Sequence, residues 1–345
     1  MRAVKRMIAA GLGLVCLYLL FAGQLNMRRE LAIETGRMKN IEVVLPETKP
    51  SAATSAVSQP DPTPEPEQTE QPEELDETSY DPSPAANGSV RETTITGGLT
   101  IKNETNFEVD VQAILEEGTS VRLAAEGPQI LIIHTHSSEA YTPAGLDRYE
   151  ASDTNRTEDT AYNIVRVGDE LTDILQAAGL NVIHDRGIYD YPSYTGSYGR
   201  SGAAVEEYLA EYPSISVVID MHRDALGAGD TVYKIMAEES GVVASQIMLL
   251  VGTNESGLEH PNWRTNLSLA LYLQQAADTA HPTLMRPVEL VPQRYNQHLT
   301  GGSLILEVGS SGNTLQEALA AIRLFGNDIA PALLALTEQT DADAE

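Results

Sequence analysis

The chain has 345 residues, with 50 Asp and Glu against 22 Lys and Arg and a formal net charge of −28. So acidic a surface excludes nucleic acid as a partner, because the phosphate backbone demands a basic face. A single cysteine, Cys16, excludes an internal disulfide and a thiolate zinc cluster, so a metal site here must be built from His, Asp and Glu.

In chain order, Arg2, Lys5 and Arg6 precede an uncharged run at 7–27 that contains IAAGLGLVCLYLLFAG. At about 1.5 Å per residue such a run just covers a hydrocarbon core of about 30 Å. Ala22, Gly23 and Gln24 make a poor signal-peptidase site, and Val15 is too large for lipoprotein processing at Cys16, so an uncleaved anchor is expected. The leading basic residues place the N-terminus in the cytoplasm and the rest of the chain outside the membrane. Residues 1–29 are thus read as a cytoplasmic tail and transmembrane anchor.

Residues 30–91 are read as a juxtamembrane segment and an acidic, Pro-rich linker. Nine of the 18 prolines fall between Pro46 and Pro84, and no Lys or Arg occurs between Lys49 and Arg91. Such a stretch has too little apolar surface to offset its ordering entropy, and its like charges keep it extended. Residues 92–128 form a small β-rich lead-in, with strands expected at 93–102 and 107–114.

The catalytic domain is expected at 129–345. Apolar runs at 130–133, 181–184, 215–220 and 303–308 predict core strands, and 231–237 and 246–252 predict two more. Helices are predicted at 159–178, 199–212, 263–278 and 314–336, the last kinked or broken at Pro331. Strands alternating with helices imply an α/β fold, a mostly parallel sheet covered on both faces as three α/β/α layers.

Three predicted strands end abruptly in polar residues: ILIIHTHSSE, ISVVIDMHRD and SLILEVGSSGN. In a parallel sheet their C-terminal ends share one edge, where ligands bind. His136, Glu139, His222 and Glu307 would meet there. Two imidazoles and a carboxylate with one open position make a catalytic zinc site, and Glu307 would be the general base. His134 is the alternative to His136 as ligand, or a support for the site. Glu158 and Asp159, at the start of a predicted helix, are the alternatives to Glu139. Arg223 and Asp224 follow His222 and are expected to reach the substrate, Arg223 as a clamp for a carboxylate or carbonyl. Tyr295, Asn296 and His298 in RYNQHL are expected to bond a polar, amide-rich substrate. Tyr189, Tyr191, Tyr194 and Tyr198 are expected to line a glycan or peptide groove.

HTHSSEAY at 134–141, DMHRDA at 220–225, VGTN at 251–254, HPNW at 260–263, RYNQHL at 294–299 and SLILEVGSSGNTLQEA at 303–318 together resemble the stage II sporulation protein P family of endospore-forming bacteria. The resemblance runs from about residue 98 to the C-terminus, and the anchor and spacer fit it. It implies a membrane-anchored peptidoglycan hydrolase of engulfment, lying in the mother-cell membrane and facing the forespore. The implied activity is that of an N-acetylmuramoyl-L-alanine amidase, with cross-link endopeptidase activity also attributed to the family. Stage II sporulation proteins D and M are its implied partners. The implied fold is that of zinc amidases and carboxypeptidases, whose His, Glu and His ligands and late Glu base fit His136, His222 and Glu307. The second ligand stays open between Glu139 and Glu158 or Asp159, and no DPGH motif of the usual amidase kind is present. A zinc carboxypeptidase acting on stem peptides and a non-catalytic wall-binding scaffold are the rival readings.

Overall fold

The computed structural model describes residues 89–338 apart from 146, 148, 150, 154, 229 and 230. The expected anchor at 7–27 and the linker up to residue 88 lie outside them. Among the described residues no helix is long and apolar enough to cross a membrane.

The elements follow in the order β1 (Ser89–Thr93), β2 (Ile101–Asn103), α1 (Val111–Glu117), β3 (Ile130–Ile133), α2 (Ile164–Ala177), β4 (Val182–His184), α3 (Ser197–Glu211) and β5 (Val217–Asp224). Then come β6 (Gly227–Ala228), β7 (Thr231–Glu239), β8 (Val242–Ser245), β9 (Ile247–Gly252), α4 (Trp263–Ala280), β10 (Val288–Val291), β11 (Ser303–Ser310) and α5 (Leu315–Leu334). A seven-stranded sheet has the order β2-β10-β9-β11-β5-β3-β4. Five neighbouring pairs are parallel, and β9 runs antiparallel to β11. The sheet therefore consists of two parallel groups of opposite direction. A smaller sheet joins β1, β7 and β6, with β8 paired to β7.

Strand alternation decides what each face carries. Ile130 and Ile132 of β3, Val217, Ile219 and Met221 of β5, and Leu304 and Leu306 of β11 enter the main core with α2, α4 and α5. The alternate residues Leu131, Ile133 and Val218 pack under Val205 of α3. Further along that second face, Met248, Leu250, Val291 and Ile305 are covered by Tyr295.

The lead-in differs from expectation. Residues 111–117 form a helix, because Asp110 caps it by accepting from the Ala113 N–H and turns the chain out of the extended form. The strand next to it, β2, pairs with β10 as the outer strand of the main sheet. The helix predicted from 159 begins at Ile164, where the Asn163 side chain accepts from the Val165 N–H. Helix α5, capped by a reciprocal Thr314–Glu317 pair, contains Pro331 and continues to Leu334, so the proline does not break it.

Gly168 of α2 is required by packing. A Cβ there would lie 2.6 Å from Nε2 of both His134 and His184. Gly168→Ala gains about 1 kcal/mol of helix propensity but must displace two buried rings. A net loss of about 1–3 kcal/mol is expected from overpacking, read as a lower urea midpoint at unchanged slope.

Candidate metal centre and hydrolytic site

The chain leaves β3 at Ile133 and turns sharply through 135–138, a loop pinned from two sides. Asp220 accepts from the Thr135 N–H at 2.8 Å and the Thr135 hydroxyl at 2.6 Å. Asp190 accepts from the Ser138 N–H at 3.1 Å and the Ser138 hydroxyl at 2.6 Å. Arg156 bonds the same Asp190 at 2.6 Å. This turn brings His136 and Glu139 back over the end of β5.

There His136, Glu139 and His222, 7%, 6% and 3% exposed, each offer one donor atom within 4.8 Å of the others. His136 Nδ1 lies 3.5 Å from Glu139 Oε1, and His222 Nδ1 lies 3.7 Å from Glu139 Oε2. The two imidazoles meet edge to face, their centroids 4.9 Å apart. The Arg223 backbone N–H donates to Glu139 Oε2 at 2.8 Å and fixes that carboxylate. His136 Nε2 is buried with no hydrogen-bond partner. Donors of this type, buried and converging, fit a zinc ion with one position left open.

Glu307 is paired in register with His222 across β11 and β5. The strands are about 4.8 Å apart, and the two side chains share a face. Its Oε2 is buried and without a partner. Burial, reinforced by Asp224 and Glu139, pushes the Glu307 carboxyl well above the usual range, against the pull of His222 and Arg286. Burial alone would lower His222, but the Asp220, Glu139 and Glu307 carboxylates outweigh it and hold the ring up to about 10. Burial likewise works against the Glu139 carboxylate, yet His136, His222 and Arg223 hold it below its usual range. His136 is lowered, chiefly by burial. Asp220 is held low despite burial, through His222 and Thr135.

The remaining expected residues are scattered. His134 faces the other side of the sheet, as alternation in β3 requires. Its Nδ1 lies 3.1 Å from the Met221 carbonyl and its Nε2 2.8 Å from His184 Nε2. Burial, with His184 alongside, pushes it down to about 3. Glu158 and Asp159 are exposed and outside the donor group, and Asp159 accepts from the Ala161 N–H. Arg223 also points away from His222, its neighbour in the strand. Its guanidinium donates to the Asn155 carbonyl at 3.0 Å, holding the backbone at Asn155 in place. Asp224 is held by Arg286 at 2.6 Å, beyond Glu307. His298 follows the C-terminal end of β10, and Asn262 bonds its carbonyl. Tyr295 stacks obliquely on Tyr198 at 5.3 Å, while Asn296 bonds the Tyr198 carbonyl.

Of the four tyrosines, Tyr194 stacks on His136 at 4.6 Å and Tyr198 meets it edge-on at 5.4 Å. Tyr194 is 43% exposed and so presents an aromatic face to the surroundings of the donor group. Arg156, whose guanidinium lies 4.9 Å from the Tyr194 ring centre and 3.6 Å from Glu139 Oε1, was not anticipated. Neither were Asp190 and Asp220. Asp220 alone had a sequence signal, a carboxylate two residues before His222 on the same strand face. The open depression of about 520 Å³ against Pro128, Leu180 and Asn181 lies at the other end of β3 and β4, away from this site.

Fold and site together define a mixed α/β protein with a buried His–Glu–His donor group at a sheet edge and a carboxyl beside it. The chain belongs to the stage II sporulation protein P family, whose model matches residues 20–330. It is 27% identical over 203 residues to stage II sporulation protein P of Bacillus subtilis (strain 168), a match covering 54% of this chain and 47% of that protein. The chain thus spans about half the length of that curated relative. Among solved structures it is similar to the N-acetylmuramoyl-L-alanine amidase AmiC2 of Nostoc punctiforme, at 13% identity and a TM-score of 0.34, over 61% of this chain and 96% of that one. It is also similar to the amidase Ami1 of Mycobacterium smegmatis, at 12% identity and a TM-score of 0.35, over 61% and 98% of the two chains.

Proposed function

We propose that this chain is a membrane-anchored, zinc-dependent peptidoglycan hydrolase of sporulation, cutting the amide between the muramic lactyl group and L-alanine. The observation that carries the reading is the buried His136–Glu139–His222 group with Glu307 registered beside His222. Membership of the sporulation family supports the setting. A zinc ion held by those three residues supplies Lewis-acid activation of water and of the scissile carbonyl, and its charge favours the ionised form of Glu307.

Glu307 takes the proton of the attacking water and returns it to the leaving amine, two transfers to which a shielded carboxyl of raised affinity is suited. Arg223 N–H and Asp220 keep Glu139 and His222 in place. Arg156 is the guanidinium that faces the donor group, beside the open Tyr194 ring. A zinc carboxypeptidase would use Arg223 as its carboxylate clamp, and the engagement of that side chain with Asn155 disfavours this rival. Cross-link endopeptidase activity would use the same residues on another amide. Residues 1–29 anchor the enzyme in the mother-cell membrane, and the sporulation proteins D and M are its proposed partners.

Mass analysis of fragments released from purified sacculi tests the substrate. Free stem peptides and peptide-free glycan are the expected products. Muropeptides with intact lactyl amides and split cross-links would replace the amidase reading with the endopeptidase one.

A further inference from the structure

The polar contacts behind His222 give a task to residues outside the donor group. His222 Nε2 lies 3.1 Å from Asp220 Oδ1, an ion-pair contact that does not meet hydrogen-bond geometry. Asp220 Oδ1 also accepts the Thr135 N–H, and Oδ2 the Thr135 hydroxyl, at 2.6 Å. That hydroxyl has one hydrogen, and two bare oxygens would repel at such a distance, so the hydrogen lies between Thr135 and Asp220. In the 2.6 Å contact of Thr135 with Ser201, Ser201 must therefore donate, in preference to the longer 3.4 Å contact of its hydroxyl with the Tyr198 carbonyl. Its own oxygen then accepts from Asn296 Nδ2 at 3.1 Å. The hydrogens that link Asn296, Ser201, Thr135 and Asp220 in series run toward the carboxylate, which can only accept.

We infer that Asp220, oriented by Thr135 and Ser201, is the positioning residue of the metal centre: it keeps the hydrogen of His222 on Nε2 and so presents the Nδ1 lone pair to the ion. The alternative tautomer would aim a ring lone pair at a carboxylate. Thr135, Ser201 and Asp220 are all buried, with Thr135 and Ser201 fully so, which makes the chain rigid and strengthens its polar bonds. Asn296 thereby acquires a role other than substrate contact. It extends the chain to the loop after β10, whose Tyr295 also packs on Tyr198, itself stacked on His222 at 6.4 Å. A carboxylate behind a ligating histidine raises its basicity and fixes its ring, and losing such a partner typically costs about 10- to 100-fold in metal affinity.

This inference rests on the proposed zinc centre, and one titration separates the two. Zinc affinity of the full-length protein in detergent is measured by competition with a chelating dye for wild type, Asp220→Asn and Ser201→Ala, with circular dichroism to check folding. Asp220→Asn is expected to bind zinc about 10- to 100-fold more weakly, and Ser201→Ala to fall between it and wild type. Should Asp220→Asn fail to fold, the Ser201→Ala affinity decides, with equality to wild type overturning the inference. Wild-type affinity in a folded Asp220→Asn overturns it while leaving the zinc centre intact. A wild-type protein that takes up no zinc overturns both.

Discussion

Glu307→Gln is expected to reduce digestion of purified peptidoglycan by about 100- to 10,000-fold, the range for loss of a general acid–base group. Zinc content and thermal stability should hardly change. The amide is nearly isosteric with the carboxyl, and the buried Oε2 position has no partner to lose. The strand pairing to His222 and Met248 is a backbone property and survives the substitution. What disappears is the ability to take up and return a proton. A scissile-bond assay on released stem peptides measures this, with elemental analysis of the same preparation. Wild-type digestion by the variant would remove Glu307 from the mechanism and favour a wall-binding scaffold instead.

His222→Ala should have the second large effect and a different signature. It removes one of three donors and leaves Glu139 Oε2 and Asp220 Oδ1 facing an empty position in a buried site. Zinc should be absent from the purified variant and digestion undetectable. Stability of the zinc-free protein should also fall by about 3–5 kcal/mol, the cost of breaking a buried charged cluster from one side. Chemical denaturation of chelator-treated wild type and variant gives that difference directly. Equal stability of the two would mean that the carboxylates do not depend on the ring. The two substitutions thus separate proton transfer from metal binding: Glu307→Gln loses the first alone, and His222→Ala loses the second and with it the first.

Much of the donor group was legible because it depends on local features that the sequence displays. Apolar runs end at His134, Asp220 and Glu307, and parallel β3, β5 and β11 bring those ends to one edge. Glu139 was legible as the residue three positions after His136, a spacing that one tight turn folds into contact. Less accessible was the direction of β9 and β10. Their reversal against β11 puts the end of β10 at the far end of the sheet, and Tyr295 and Asn296 reach Tyr198 and Ser201 by folding back from there. The same geometry applies to any segment just before β11, whose N-terminal end is the far one. Arg223 illustrates a finer point. Proximity to His222 in sequence suggested a shared cleft, but adjacent residues of a strand face opposite ways. Arg156 and Asp190 carried no periodic signal, because each lies in an irregular loop whose position is set by contacts with the 135–138 turn. Asp110 and Asn163 show how a single capping side chain moved a boundary that hydrophobic periodicity had placed elsewhere.

The most direct test of the central claim is wall digestion by the wild-type protein before chelation, after chelation and after zinc is restored, with the zinc-to-protein ratio determined at each stage. One zinc per chain, loss of digestion on its removal and recovery on its return are the results predicted by a His136–Glu139–His222 centre. Undiminished digestion by protein shown to be free of metal would contradict it.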